Sequence, residues 1–289
     1  MTGPREVVLE TQGQELVAAA VTALFVPGDR PERFAKAAAS GTDVVIVDLE
    51  DAVAPENKAK ALAAAVDSLT RGELRALVRI NPLGTETSNT EIVALLGVAQ
   101  QARHGLLGLV IPKAEDSMAL RNLASRCDML DLAVVPLVES AVGVVGAAEI
   151  AGISGVTRLS FGAIDYALDI DAGSDDRFLD HARSALVVSS RAAGIPAPLD
   201  SPAIFIKETD KVQASANLAR GFGFGGKLCI HPSQVPVVSQ SFRPAPVEVQ
   251  WAESVVSAGS GASQIEGQMI DRPVIERAQR ILARARKEK

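Results

Sequence analysis

Two isolated carboxylates, Glu139 and Asp165, each end an apolar run of the sequence and could together hold a metal ion. The first run covers residues 132–139 and the second covers residues 156–165. Such runs are typical of parallel strands, whose carboxyl ends form the active-site face of an α/β barrel. Two acids on neighbouring strand ends suit Mg²⁺, which takes one or two protein carboxylates and leaves its other positions to water and substrate. Helix capping or pairing with a basic side chain is the alternative for either acid.

Further charged residues follow other predicted strands. Asp48, Glu50 and Asp51 end the second strand, and three acids so close repel one another unless a cation or a basic side chain lies nearby. Arg79 near the end of the third strand could bind a substrate oxygen, or it could form a structural ion pair with Glu50 or Asp51. Lys113 ends the fourth strand and is expected to point inward. This alternation of acids and bases suits a metal-bound anionic substrate.

Short apolar runs that alternate with helical segments predict the elements that must position these residues. Eight strand–helix units favour the α/β class and a closed (β/α)8 TIM barrel over residues 16–245, with an open doubly wound sheet as the alternative. Residues 1–15 are expected to be a flexible N-terminus and residues 246–289 a C-terminal helical lid or arm, while residues 169–180 stay unassigned. The glycine-rich stretch at 221–226 precedes a strand and is interpreted as a tight turn. The predicted strands are residues 22–26, 44–50, 75–81, 107–113, 132–139, 156–165, 198–201 and 226–231.

Composition argues against several classes of partner. The chain has 289 residues, a formal net charge of −6 and 3% aromatic residues, so no nucleic-acid partner is expected. The apolar stretch at 16–26 is too short to span a membrane, and acidic residues precede it, so neither a membrane partner nor a signal peptide is expected. Cys127 and Cys229 lie far apart in no metal-like spacing, which favours a reduced, cytoplasmic setting.

Seven short stretches, taken in order, carry a family resemblance. Together they resemble the citrate lyase β-subunit-like family, within the group of HpcH/HpaI aldolases and malyl-CoA and citramalyl-CoA lyases. The resemblance extends over residues 22–286 and departs from the family at Ser140, where threonine is usual. The stretches are LFVPGDRPER at 24–33, DLEDAV at 48–53, VRINP at 78–82, IPK at 111–113, PLVESA at 136–141, FGAID at 161–165 and GKLCIHP at 226–232.

This resemblance implies a Mg²⁺-dependent carbon–carbon lyase that cleaves a 3-hydroxyacyl-CoA to acetyl-CoA and a 2-oxo acid by a retro-Claisen reaction. It implies that Glu139 and Asp165 bind the metal, that Glu139 also contacts the substrate, and that Arg79 binds the substrate and stabilises the enolate. It also implies that the acids of residues 48–51, which are Asp48, Glu50 and Asp51, orient metal-bound waters or Arg79. The positions that match the family's CoA contacts are Phe25, Arg30, Arg33, Lys36, Ile230 and His231.

Residues 266–278 resemble the C-terminal segment of malyl-CoA and citramalyl-CoA lyases. There an aspartate at the position of Asp271 acts as the acid/base and enters the active site of a neighbouring subunit. The resemblance therefore implies that Asp271 is catalytic and that the protein is a homotrimer or a multiple of trimers. The three acids at 48–51 are expected to stay ionised beside cations, which would leave them unsuited to donate a proton.

Two other functions stay open at this point. A β subunit of a citrate lyase complex would act on a citryl-acyl-carrier protein, whereas a non-catalytic paralogue would bind a thioester without turnover. The acyl group also stays open between malyl, methylmalyl, citramalyl and citryl, because one methyl group changes binding by only about 1–3 kcal/mol.

Overall fold

The computed structural model describes residues 13–173, 176–257, 264–265, 268–269 and 271–286. The chain divides into two compact units, Met1–Val238 and Ser239–Lys289. The predicted flexibility of the N-terminus falls largely on residues 1–12, which lie outside the described part, as do residues 174–175 of the unassigned acidic segment. Among the described residues, no helix is long and apolar enough to cross a membrane.

Eight parallel strands form a closed barrel in chain order, because β8 pairs with β1. This confirms the predicted (β/α)8 architecture, with every strand at its expected place in the sequence. The sixth strand is much shorter than predicted. The strands are β1 Thr22–Pro27, β2 Val44–Asp48, β3 Ala76–Arg79, β4 Leu106–Ile111, β5 Ala133–Val138, β6 Ser160–Phe161, β7 Leu199–Asp200 and β8 Gly226–Cys229.

One helix precedes β1 and others follow the strands of the barrel, while two of the described helices belong to the second unit. The sequence did not predict α1, α8, α9 or α11, and α9 begins at the end of the unassigned acidic segment. The helices are α1 Gly13–Ala19, α2 Phe34–Ala38, α3 Lys58–Thr70, α4 Glu86–Ala99, α5 Met118–Asp128, α6 Ala141–Val145, α7 Ala147–Ala151, α8 Ala163–Asp169, α9 Leu179–Ala193, α10 Thr209–Phe222, α11 Gln234–Phe242, α12 Pro246–Ser257 and α13 Arg272–Arg286.

Local sequence sets several helix ends. The hydroxyls of Thr85, Ser117 and Ser140 accept backbone hydrogen bonds at the starts of α4, α5 and α6, which satisfies donors that the helix itself leaves unpaired. Helix α10 ends at Gly223 in the left-handed conformation (φ 101°), which glycine adopts without a steric penalty. The glycine-rich stretch is therefore a helix-ending turn, as predicted.

The barrel interior is filled by apolar side chains that alternate along the strands. Ile46, Leu77, Val135 and Leu228 belong to one buried cluster, and Val17 of α1 packs into the same cluster. Because α1 precedes β1, it packs at the end of the barrel opposite to the carboxyl ends of the strands. The carboxyl ends are thereby left as the open face of the barrel.

The second unit has its own small core, in which α12 packs on α13. Ala252, Val255, Ala278 and Ile281 are buried there. The guanidinium of Arg277 lies 5.3 Å from the centre of the Trp251 ring. Both helices lie within residues 246–289, the segment that the sequence predicts to be helical.

Candidate active site

A cavity of about 390 Å³ opens at the carboxyl ends of the strands. Five of the charged residues singled out in the sequence line it, so the predicted convergence at this rim is found in the structure. Glu50 is absent from the lining of this cavity but contacts Nη1 of Arg79. The charged lining residues are Asp48, Asp51, Arg79, Glu139 and Asp165.

Arg79 is held in a fork by Asp48. Its Nε lies 2.7 Å from Oδ1 and its Nη2 lies 2.6 Å from Oδ2 of that carboxylate. Nη1 lies 3.1 Å from Oε2 of Glu50 and 3.8 Å from Oδ2 of Asp51, and the Phe25 ring centre lies 4.9 Å from the guanidinium carbon. The main ion-pair partner is therefore Asp48, not Glu50 or Asp51. Burial lowers the pKa of Arg79, but the hydrogen bond and charge of Asp48 outweigh it and raise the pKa overall.

Glu50 corrects the expectation that all three acids of residues 48–51 stay ionised. Its side chain is buried, and burial raises its pKa to about 8, although the charge of Arg79 opposes this. The neighbouring carboxylates of Asp51, Glu139 and Asp48 contribute to this rise of the pKa. Glu50 is therefore mostly protonated at neutral pH in the metal-free protein.

Glu139 is buried beside the cavity and is positioned from two sides. Its Oε1 accepts a hydrogen bond of 2.7 Å from the backbone N–H of Lys113. Its other oxygen faces Gly162, where any Cβ atom would collide with the carboxylate. Burial raises the pKa of Glu139 to about 7, the Lys113 hydrogen bond opposes this, and the charge of Asp165 adds to the rise.

Two predictions about this rim are wrong: the position of Asp165 at a strand end and the inward direction of the Lys113 side chain. Strand β6 ends at Phe161, so Asp165 lies in the first turn of α8 and not at a strand end. The chain leaves the sheet at Gly162, and Ser201 accepts a hydrogen bond of 3.0 Å from the N–H of Ala163 at the start of α8. Lys113 is exposed and has a φ of 47°, so it contributes its backbone N–H and not an inward ammonium.

Sequence reasoning missed Ser201 and Gly162 as members of the site. Both line the cavity, and Ser201 is buried. Ser201 follows β7 directly, so the rule that selected Glu139, applied to the seventh predicted strand, could have found it. Gly162 carries no chemical group, and its role becomes visible only from its close approach to Glu139.

Glu139 and Asp165 fit a divalent cation. A buried carboxylate whose pKa is raised by a second carboxylate is stabilised in its charged form when a cation lies between them. Within the described ranges, no group of three or more His, Cys, Asp and Glu residues could hold a metal by itself. The donor set therefore suits Mg²⁺, which keeps positions for water and substrate, better than a metal that needs a full protein cage.

A second cavity of about 370 Å³ adjoins the first. The two share Phe25, Pro27 and Ile230 in their linings. Of the six residues that match the family's CoA contacts, Arg30 is absent from this lining, and its half-exposed side chain lies 3.9 Å from Asp29. The five matched residues that line the second cavity are Phe25, Arg33, Lys36, Ile230 and His231.

Asp271 belongs to the second unit. It precedes α13, its Oδ1 accepts a hydrogen bond of 3.2 Å from the N–H of Val274, and its side chain is exposed. This is the geometry of a helix N-cap. Its predicted catalytic role stays a prediction.

Comparison with known proteins decides the family. The sequence model of the protein family described as HpcH/HpaI aldolase/citrate lyase matches residues 22–232, which is well over half of the chain. The chain belongs to this family. The family predicted from the seven motifs is thereby confirmed.

Relatives of this family member include enzymes named for acyl-CoA cleavage. A citrate lyase subunit beta-like protein from Mycobacterium tuberculosis is 40% identical over 273 residues, which cover 91% of this chain and 94% of the relative. An L-malyl-CoA/beta-methylmalyl-CoA lyase from Cereibacter sphaeroides is 32% identical, with coverages of 91% and 93%. The mitochondrial citramalyl-CoA lyase of Mus musculus is 30% identical, with coverages of 91% and 85%. Lyases are thus present in the family, as predicted.

A solved structure adds ligands to this comparison. The crystal structure of CitE from Mycobacterium tuberculosis in complex with magnesium, acetoacetate and coenzyme A has a TM-score of 0.81 and 38% identity. The match covers 93% of this chain and 98% of that chain. The magnesium and coenzyme A predicted from the sequence are both bound in that relative.

Proposed function

We propose that this protein is a Mg²⁺-dependent carbon–carbon lyase that cleaves a malyl-, citramalyl- or citryl-type CoA thioester to acetyl-CoA and a 2-oxo acid. The observation that carries the proposal is the convergence of Glu139, Asp165 and the Arg79 fork on one cavity. Relatives named as malyl-CoA and citramalyl-CoA lyases, and a relative that binds magnesium and coenzyme A, support it.

The two carboxylates would hold the metal, and the arginine would hold the thioester. When bound, Mg²⁺ polarises the carboxylate and hydroxyl oxygens of the substrate. The carboxylate of Glu139 is already held in position in the folded protein. The backbone N–H of Lys113 donates to one of its oxygens, and the absence of a side chain at Gly162 leaves room for the other. Asp165 approaches from the first turn of α8, whose start is bound to Ser201.

Arg79 would stabilise the charge that develops as the C–C bond breaks. The electron pair of that bond moves into the thioester to form an enolate, and the carbinol oxygen loses its proton and becomes the keto oxygen. Arg79 is already oriented by Asp48, so it needs little reorganisation to donate to the enolate oxygen. We assign both proton transfers to Asp271 of a neighbouring subunit in a cytoplasmic homotrimer or multiple of trimers: its carboxylate takes the carbinol proton and then returns it to the enolate carbon.

The second cavity would hold the nucleotide end of the thioester. Arg33 and Lys36 provide positive charge for phosphate groups, and the shared wall at Phe25 and Ile230 connects this cavity to the metal site.

A citrate lyase β subunit acting on a carrier protein is the second candidate function, because the Mycobacterium tuberculosis relative carries that type of name. Recovery of a carrier protein and a transferase subunit in a pull-down would favour it.

A substrate panel tests the proposal directly. Malyl-, methylmalyl-, citramalyl- and citryl-CoA are incubated with the purified protein, and release of the 2-oxo acid and of acetyl-CoA is measured with Mg²⁺ and with EDTA. We expect EDTA-sensitive cleavage of at least one thioester. Binding of every thioester without cleavage would instead indicate a non-catalytic paralogue.

A further inference from the structure

Lys58, Asn81 and Glu91 form a hydrogen-bonded cluster beside the Arg79 fork. Asn81 and Glu91 are buried, and none of the three is among the residues that line the two cavities. They come from three different elements: Lys58 begins α3, Asn81 follows β3, and Glu91 lies in α4. The cluster therefore joins the segments that follow β2 and β3, the two strands whose last residues form the fork, to α3 and α4.

Lys58 uses all three protons of its ammonium group within this cluster. Its Nζ donates to the backbone oxygens of Leu49 and Glu50, both at 2.9 Å, and to Oδ1 of Asn81 at 2.7 Å. Both carbonyls belong to the acidic turn at residues 48–51. One ammonium group thus fixes the backbone of the turn that supplies Asp48 and Glu50 to Arg79.

Asn81 connects this lysine to Glu91, and both its backbone N–H and its side-chain amide form hydrogen bonds. Its backbone N–H donates to Oε2 of Glu91 at 2.7 Å, and its Nδ2 donates to Oε1 at 2.6 Å. The same Nδ2 also donates to the oxygen of Leu49 at 2.9 Å. Asn81 stands two residues after Arg79, so Glu91 fixes the backbone that leads out of β3.

The carboxyl ends of β2 and β3 are also hydrogen-bonded to each other beside the fork. The backbone oxygen of Arg79 accepts from the N–H of Leu49 at 2.9 Å, and Asp48 accepts from the N–H groups of Glu50 and Ala52. A shift of the turn would therefore move the carboxylate of Asp48 relative to the guanidinium. Small displacements of this kind lower rates strongly when a charged group must meet a developing charge.

We propose that Lys58, Asn81 and Glu91 are positioning residues, which hold the acidic turn and the end of β3 so that Arg79 meets the substrate in one orientation. This proposal rests on the lyase function proposed above. They do not touch the substrate and act only through Asp48 and Arg79. Their removal should lower kcat more than it raises KM, because binding of the CoA portion does not depend on them.

A double-mutant cycle tests this role. Lys58→Met, Asp48→Asn and the double variant are compared with the wild-type enzyme for kcat, KM and Tm. Lys58→Met should lower kcat about 10- to 100-fold and change KM less than about threefold. In the Asp48→Asn background, where the fork is already broken, Lys58→Met should cost less than about twofold. The matched control is Lys60→Met, an exposed lysine of the same helix, which should match the wild type.

The outcomes separate this proposal from the one on which it rests. Equal losses of kcat in both backgrounds would show that Lys58 is only structural, and unchanged kcat in Lys58→Met would overturn its role outright. If Lys58→Met does not fold, the cycle is run with Lys58→Arg. This variant keeps the charge but replaces the compact ammonium group by a planar guanidinium. A wild-type enzyme that cleaves none of the thioesters would overturn both proposals together.

Discussion

Burial and local partners give the carboxylates of this site different properties. Asp48 and Glu50 are both buried near one guanidinium, yet Asp48 receives two short hydrogen bonds from Arg79, while Glu50 Oε2 lies 3.1 Å away without a hydrogen-bond partner among the described residues. Glu139 is buried beside Asp165 and has no comparable fork. Asp48 therefore orients the guanidinium of Arg79, whereas Glu139 is suited to bind a metal cation from solution.

The metal assignment predicts selective loss of magnesium in two variants. Glu139→Gln and Asp165→Asn each remove a charged oxygen that a hard cation prefers, so each should weaken Mg²⁺ binding and lower turnover by more than about 100-fold. Calorimetric titration with Mg²⁺ and the thioester assay measure the two effects. Glu149→Gln, on exposed surface of α7, is the control and should behave as the wild type. Wild-type turnover that persists in EDTA would contradict the assignment.

The raised pKa of Glu50 predicts a pH-dependent stability difference. Its pKa is about 8 in the folded metal-free protein and 4.5 as the reference value for the unfolded chain. The unfolded chain thus releases this proton first, so stability falls as the pH rises from about 4.5 to about 8. Glu50→Gln removes that loss, and its Tm should exceed that of the wild type by an amount that grows between pH 5 and pH 8.

Measurement in EDTA keeps a bound cation from changing the charge balance around Glu50. The control is Glu56→Gln in the exposed turn before α3, which should show no such trend. A Tm difference that stays constant across this pH range would mean that Glu50 is ionised in the folded protein after all.

At the scale of elements, apolar periodicity located all eight strands because each barrel strand is buried on both faces. The same signal failed at residues 162–165, because a short apolar run has the same pattern in a strand and in a buried helix turn. It also failed to identify α9, whose first turn carries Asp180, the last residue of the unassigned acidic segment. The pKa of Glu50 could not be predicted, because desolvation depends on neighbours that only the folded chain brings together.

The turn from β6 into α8 predicts that Gly162 is required for the metal site. A Cβ at this position would lie 2.6 Å from the Cβ of Glu139 and would collide with its carboxylate. Gly162→Ala should therefore weaken Mg²⁺ binding by displacing a ligand, although neither carboxylate is removed. Gly97→Ala is the matched control, because its Cβ meets open space in α4 and should stabilise the fold by about 0.5–1 kcal/mol. Unchanged Mg²⁺ affinity in Gly162→Ala would show that Glu139 can move without loss of the site.

At the scale of the whole molecule, the proposed mechanism needs a group that takes the carbinol proton and returns it to the enolate carbon. In the barrel unit, Asp48 is committed to Arg79, and Glu139 and Asp165 are assigned to the metal. Asp51, unlike Glu50, lines the cavity and is well exposed, so it is the competing candidate to take the carbinol proton and return it to the enolate carbon. Asp271 lies in the other unit, where it caps α13, and the mechanism proposed above assigns it to a neighbouring subunit's site.

Mixed oligomers distinguish these two candidates. Asp271→Asn should keep Mg²⁺ and CoA binding but lose kcat, because only the proton-transfer step is removed. Chains with Asp271→Asn and chains with Arg79→Ala, each inactive alone, should regain part of the activity after joint unfolding and reassembly, since some sites would then combine an intact Arg79 with an intact Asp271. No recovery in oligomers shown by mass spectrometry to be mixed would mean that each tail serves its own barrel. Full activity in Asp271→Asn would exclude this residue, and the acid would then be sought at Asp51, with Asp51→Asn as the variant to measure.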